Sequence, residues 1–372
     1  MKRTISLLVL ALFALSGVAQ TRTHVLDVAR KVNNYFMQQN PDPTKDTFVK
    51  KVRTSNLWTR AVYYEGLMNL YSIDPQQSYL DYALRWANYH KWSPRNGVQV
   101  TNADDQCCGQ TYIILDKLLK DNSTDRLENV RTNLVHQMDT HRYDYWTWID
   151  AVQMAMPLYA LMAQHSGERR FLDYAMESYR WTRNECGGGL FNKKAGLWWR
   201  DADYVAPYKE PDDKDCYWSR GNGWVYAALV RVMSTLSPKD PYYKELKRDY
   251  LKMSKALVKC QRQDGLWNVS LVSNNYAGKE MSGSSLFLYG MSWGIRNGLL
   301  SAKTYRPICD KTWQALVRDC VHANGFLGYS QGTGKDPSAG QPVTYDSVPD
   351  FEDYGTGCFL LAASEYYKLL SE

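Results

Sequence analysis

Histidine is scarce in this chain, with six in 372 residues, and no Cys/His cluster has the spacing of a metal site. That argues against a zinc enzyme. An excess of one charge is missing too. Forty-five basic residues stand against 39 acidic ones, a formal charge of +6. The surplus is too weak and too scattered for nucleic-acid binding. Beyond the N-terminus no apolar run is long enough to span a membrane, so membrane insertion of the mature chain is not expected. No alternating stretch is long enough to build a sheet; short pieces such as Gly265-Leu266-Trp267-Asn268-Val269 can pair only locally. The eight cysteines include adjacent Cys107 and Cys108 and show no framework spacing, so mostly free, buried thiols are expected. What the chain has in plenty is aromatic surface: 13 Trp and 28 Tyr. Sugar-stacking walls are one use for it.

Residues Met1 to Ala19 read as a secretory signal peptide, with an uncleaved membrane anchor as the alternative. Lys2 and Arg3 precede an apolar stretch from Ile5 to Ala14, and Gly17-Val18-Ala19 offers a small-residue cleavage site. Export, to a bacterial periplasm, is the expectation, with residues 20–372 as a single domain.

Apolar periodicity predicts twelve helices, near 22–39, 55–72, 76–91, 104–120, 123–139, 148–165, 168–184, 219–236, 241–262, 281–298, 302–322 and 354–371. They alternate in character. Segment 241–262 is charged along one face, whereas 281–298 and 148–165 are apolar nearly all round. Helices of the second kind belong inside other helices. The links alternate as well. Inner-to-outer links run about two to four residues, and outer-to-inner links about eight to thirty-four. A ring of six helical hairpins, an all-α (α/α)6 barrel, satisfies both alternations and gathers the long loops at the N-termini of the inner helices. An open solenoid is the rival.

That loop face should carry function. Asp150 sits one turn into an apolar helix behind Trp146 and Trp148, where desolvation would raise its pKa and keep a proton for donation. Alternatively it answers the helix dipole. Of the adjacent pair Asp104 and Asp105, the second is expected in the pocket and the first as cap or support. Arg220, inside Trp218-Ser219-Arg220-Gly221-Asn222-Gly223-Trp224, suits a carboxylate-bearing sugar. The glycines there either admit a ligand or allow tight helix packing. No Lys-Ser/Thr follows them, so this is no phosphate loop. Ser282 reads as a helix cap with substrate contact as the alternative, and Trp58 as core.

At these residues the chain resembles glycoside hydrolase family 105, the unsaturated rhamnogalacturonyl hydrolases, and more distantly family 88. The motifs are Ala103-Asp104-Asp105 with Gly109-Gln110-Thr111-Tyr112, Trp146 through Asp150 with Met156-Pro157, the Trp218–Trp224 block, Gln263-Asp264-Gly265-Leu266-Trp267, and Tyr354-Gly355-Thr356-Gly357-Cys358-Phe359-Leu360-Leu361-Ala362. The likeness runs over roughly residues 50 to 370. It implies an (α/α)6 barrel and exo-acting removal of a terminal 4,5-unsaturated uronic acid from lyase-made oligosaccharides, the linked sugar often rhamnose, by hydration of the C4=C5 enol ether. It implies no metal or organic cofactor. Asp150 matches the general acid/base and Asp105 the second carboxylate. Arg220, Trp218 and Trp224 match the substrate-holding block, and Trp146, Asp104 and Ser282 complete the expected binding set. Gln106, Met281, Thr356 and Cys358 depart from the family pattern at the rim. Competing readings are a conventional glycosidase or a uronate-polymer lyase on the same ring, and a periplasmic sugar-binding protein.

Overall fold

The computed structural model describes residues 21–121 and 125–371. The expected leader, Met1 to Ala19, lies outside them. Among the described residues thirteen α-helices follow in order: α1 Arg22–Gln39, α2 Trp58–Tyr71, α3 Gln77–Tyr89, α4 Ala103–Gln106, α5 Cys108–Leu119, α6 Glu128–Asp139, α7 Asp150–Ser166, α8 Arg169–Asn184, α9 Ser219–Met233, α10 Pro241–Cys260, α11 Met281–Arg296, α12 Ala302–Cys320 and α13 Asp353–Leu369. The segment predicted over 104–120 is split at Cys107 into α4 and α5. The one predicted over 123–139 begins among the undescribed residues 122–124, and the described helix starts at Glu128.

The inner helices close a ring. Contacts run from α2 to α5, then to α7, α9, α11 and α13, and α13 packs back on α2. An open solenoid has no such closing contact. Nearly every residue of α9, α11 and α13 is buried, as their all-round apolarity requires. The outer helices are amphipathic. In α10, Asp240 caps the first turn by accepting from Tyr242 N–H, and Pro241 fills the position that needs no donor.

Glycines let the inner helices approach. A β-carbon on Gly357 of α13 would lie 2.2 Å from the Val62 carbonyl oxygen of α2, and one on Gly66 would lie 2.5 Å from the Gly357 carbonyl oxygen. The seam that closes the ring is therefore a backbone-to-backbone contact.

Three two-stranded antiparallel ribbons decorate the loops: Thr47–Val49 with Lys51–Arg53, Phe191–Asn192 with Leu197–Trp198, and Trp267–Asn268 with Lys279–Glu280. The last pairs Trp267 opposite Glu280, the local pairing expected there. All eight cysteines are free thiols, seven of them buried. Among the described residues no helix is long and apolar enough to cross a membrane.

A polar column runs through the barrel. Pro157 lies inside α7 and strips the Gln153 carbonyl of its helical donor. The Gln110 side-chain amide replaces it, donating to the carbonyls of Gln153 at 2.9 Å and Met154 at 3.0 Å. Arg231 donates to Gln110 Oε1 at 2.7 Å and pairs with Glu65 at 3.2 Å. Gln153 closes the set with a 2.9 Å bond to Glu65. Buried polar groups persist when partnered in this way.

Candidate active site

The loop face holds a cavity of about 170 Å³ lined by Trp58, Asp104, Trp148, Asp150, Met154, Arg200, Thr333 and Gly334. Its walls come from the starts of inner helices and from two long loops. Asp150 opens α7 and is 8% exposed. The loop 185–218 reaches it through backbone pairing: Ile149 N–H donates to the Arg200 carbonyl at 2.9 Å, and Trp148 bridges to Asp201. This pairing sets the Arg200 guanidinium beside the acid, with Nε 3.4 Å from Asp150 Oδ2. Neither of those two atoms has a hydrogen bond. The other end of Arg200 is anchored, since Nη1 donates to Asp201 Oδ2 at 2.5 Å.

Burial pushes the Asp150 carboxyl up from its ordinary range, while the charges of Arg200 and Arg220 pull it back. Asp104 is pushed up to about 7, by burial first and then by the negative charges of Asp150 and Asp105. Two carboxyls that share one cavity resist ionising together, so the pair keeps a proton available near neutral pH.

The structure therefore puts Asp104, and not Asp105, beside Asp150. Asp105 turns away to Arg95 at 2.7 Å and Asn96 at 3.0 Å. The cap of α4 is a third residue, Asn102, whose side chain accepts from Asp104 N–H at 2.8 Å. With the cap supplied from outside the pair, Asp104 is free to face the cavity.

Arg220 also departs from its expected place on the cavity wall. Its guanidinium donates to the carbonyls of Gln331 and Gly332, each at 3.0 Å, and to the Tyr354 hydroxyl at 2.8 Å. It lies between the rings of Trp218 and Tyr354, 1% exposed. Arg220 grips the loop 323–353; the cation on the cavity wall is Arg200. Trp218 helps the grip by donating from Nε1 to Gln331 Oε1 at 2.8 Å. Trp224 is buried against Trp58 and Tyr354, and Trp146 is buried beside Tyr159. None of these three indoles lines the cavity. The stacking walls are Trp58, which sequence reasoning assigned to the core, and Trp148.

Ser282 caps nothing. Glu280 caps α11, accepting from the backbone N–H groups of Ser282 and Gly283, and the Ser282 hydroxyl donates to the same carboxylate. The glycines of the Trp218–Trp224 block serve packing. A β-carbon on Gly221 would meet the Trp218 ring at 2.9 Å and Ile149 at 3.0 Å, and one on Gly223 would meet Leu286 at 2.9 Å. Asn222 in that block holds the Trp198 backbone from both sides, accepting its N–H at 2.8 Å and donating to its carbonyl at 3.0 Å. That clamp steadies the strand leading into Arg200. Among the described residues no group of three or more His, Cys, Asp or Glu could hold a metal ion.

The sequence model of Glycosyl Hydrolase Family 88 matches residues 28–370. A protein of Formosa agariphila named unsaturated 3S-rhamnoglycuronyl hydrolase is 31% identical over 335 residues, 84% of this chain and 84% of its own. A solved structure, a glycosyl hydrolase family 88 protein from Bacteroides vulgatus, is 32% identical with a TM-score of 0.84, covering 94% of this chain and all of its own. Another, named as a polysaccharide lyase, is 29% identical with the same TM-score, covering 94% of this chain and 98% of its own.

Proposed function

Since the chain belongs to Glycosyl Hydrolase Family 88, a family of glycoside hydrolases, we propose a specific reaction for its cavity. The enzyme removes a terminal 4,5-unsaturated uronic acid from a lyase-made oligosaccharide in which the next sugar is rhamnose. The motif resemblance and the name of the Formosa agariphila relative both support the substrate class. The observation that carries the reaction is the cavity itself. It has room for about one sugar ring, indole walls in Trp58 and Trp148, two carboxyls with raised pKa, and one cation.

In this reading Arg200 pairs with the uronate carboxylate. Engaging that charge weakens the pull of Arg200 on Asp150, so substrate binding itself helps Asp150 keep its proton. Asp150 then gives the proton to C4 of the enol ether. Water adds at C5 and returns a proton to Asp150. The resulting hemiketal opens to a ketone at C5, which leaves a hemiacetal at C1, and that hemiacetal expels the neighbouring sugar. The balance is one water consumed and one sugar released. Asp104 holds ring hydroxyls and competes with Asp150 for ionisation, so that the pair keeps one proton. Export of the mature chain to a periplasm belongs to the same proposal, supported by the signal-peptide pattern of Met1 to Ala19.

Reaction in D₂O tests the chemistry. Hydration puts one deuterium on C4 of the product, visible by NMR. Conventional hydrolysis leaves C4 untouched and keeps the double bond. A lyase, the reading favoured by the relative of that name, would create double bonds in a saturated polymer.

A further inference from the structure

The two longest loops meet beyond the cavity. From the loop 185–218, a short 3-10 turn over Ala202–Tyr204 follows directly on Arg200 and Asp201. From the loop 323–353, Lys335 and Asp336 follow directly on Thr333 and Gly334. The Tyr204 hydroxyl donates to Asp336 Oδ2 at 2.6 Å, and Lys335 Nζ lies 3.1 Å from Asp203 Oδ2 and 5.7 Å from the Tyr204 ring centroid. Tyr204 is 5% exposed, so its contact is sheltered; the Lys335–Asp203 pair is open to solvent.

Each side of this junction is stiffened from within. Asp201 Oδ1 accepts from Asp203 N–H at 2.9 Å while its other oxygen holds Arg200. Gln331 Nε2 spans the opposite loop, donating to the carbonyls of Asp336 at 3.0 Å and Ala339 at 2.8 Å. Gln331 is in turn fixed to the barrel by Arg220 and Trp218. Thr333 and Gly334 thus sit between an anchor on the barrel and an anchor on the facing loop, and Arg200 is coupled to that same facing anchor.

We propose that Tyr204–Asp336 and Asp203–Lys335 form a clasp that fixes the span of the catalytic cavity, making these four residues positioning residues for the substrate ring. The proposal rests on the reaction assigned above. None of the four lines the cavity. They act by holding the Arg200 wall and the Thr333–Gly334 wall at one separation, so that a ring placed between them meets both. A site held loosely loses binding before it loses chemistry, because Asp150 stands on the barrel and not on either loop.

The test uses the full mature chain and four variants: Tyr204→Phe, Lys335→Met, the double of these two, and Lys335→Arg. Tyr204→Phe keeps the buried ring, so folding is preserved. With an unsaturated uronyl-rhamnose disaccharide, the double variant is expected to raise KM by about tenfold, to change kcat by less than about threefold, and to leave the pH profile of kcat in place. Lys335→Arg is expected to restore most of the loss conferred by Lys335→Met. Limited proteolysis should cut the 185–218 and 323–353 loops faster in the double variant while its melting temperature stays close to that of the parent. An unchanged KM, or a shifted pH profile of kcat, overturns the proposal. Unchanged cleavage of both loops overturns it whatever the substrate is. A parent enzyme that leaves every unsaturated disaccharide intact overturns the assigned reaction instead, and the proteolysis arm still judges the clasp.

Discussion

Asp150 and Asp104 place competing demands on one cavity: both are desolvated, and the charge of Asp150 makes Asp104 harder to ionise. Asp150→Asn keeps the shape and removes the proton, so kcat should fall by about 10²–10⁴ while the sugar still binds. Near-parental turnover would remove Asp150 from the mechanism. Arg200→Ala should raise KM by about 10–100-fold, the loss of a charge-assisted bond. An unchanged KM would return the carboxylate to another group. Asp104 also carries a stability signature. Its folded pKa of about 7 lies above the ordinary 3.8, so the folded protein holds a proton that the unfolded chain has lost. Stability contributed by that proton is present at low pH and is lost as pH rises from about 4 through 7. Asp104→Asn should therefore gain in melting temperature relative to the parent on going from pH 5 to pH 8. A difference that does not vary with pH would contradict the raised pKa. Asp104 was hard to tell from Asp105 in the sequence, because neighbours on a helix point about 100° apart and the sequence alone does not say which faces the axis. The deciding residue is Asn102, which takes the cap.

At the scale of elements, the helices were legible and the loops were not. The apolarity of α7, α9, α11 and α13 and the alternation of link lengths carry enough information to number the hairpins, since both follow from local composition. Arg200 was missed because it lies in a loop without periodicity. The signal available was Trp198-Trp199-Arg200-Asp201 just after Gly196-Leu197, a charged pair behind two indoles. Arg220 was misread for a related reason. Its motif marks it as important, but the carbonyls it grips are more than a hundred residues away, at Gln331 and Gly332. Gly357 was legible only as part of a motif, and the structure supplies its reason. Gly357→Ala would drive a methyl into the α2 backbone at Val62 and should cost about 1–3 kcal/mol, read as a lowered denaturant midpoint. A midpoint equal to the parent's would mean that the α2–α13 seam is not held by close backbone contact.

The molecule is a closed ring of helices with its candidate site at one end and a hydrogen-bonded polar column inside the barrel. The ring gives Asp150 a rigid base, and the loops bring Arg200, Thr333 and Gly334 to it. A rigid base below and clasped walls above suit an enzyme that must bind one ring and exclude bulk water from a protonated acid. The same barrel could serve a lyase or a conventional glycosidase, and the three differ in what happens to one double bond. The most direct measurement is the ultraviolet absorbance of an unsaturated uronyl-rhamnose disaccharide incubated with the mature chain and, in parallel, with Asp150→Asn. Loss of absorbance with the parent and none with the variant is the predicted result. Absorbance that persists while the sugars separate, or that rises on a saturated polymer, would contradict the hydration mechanism.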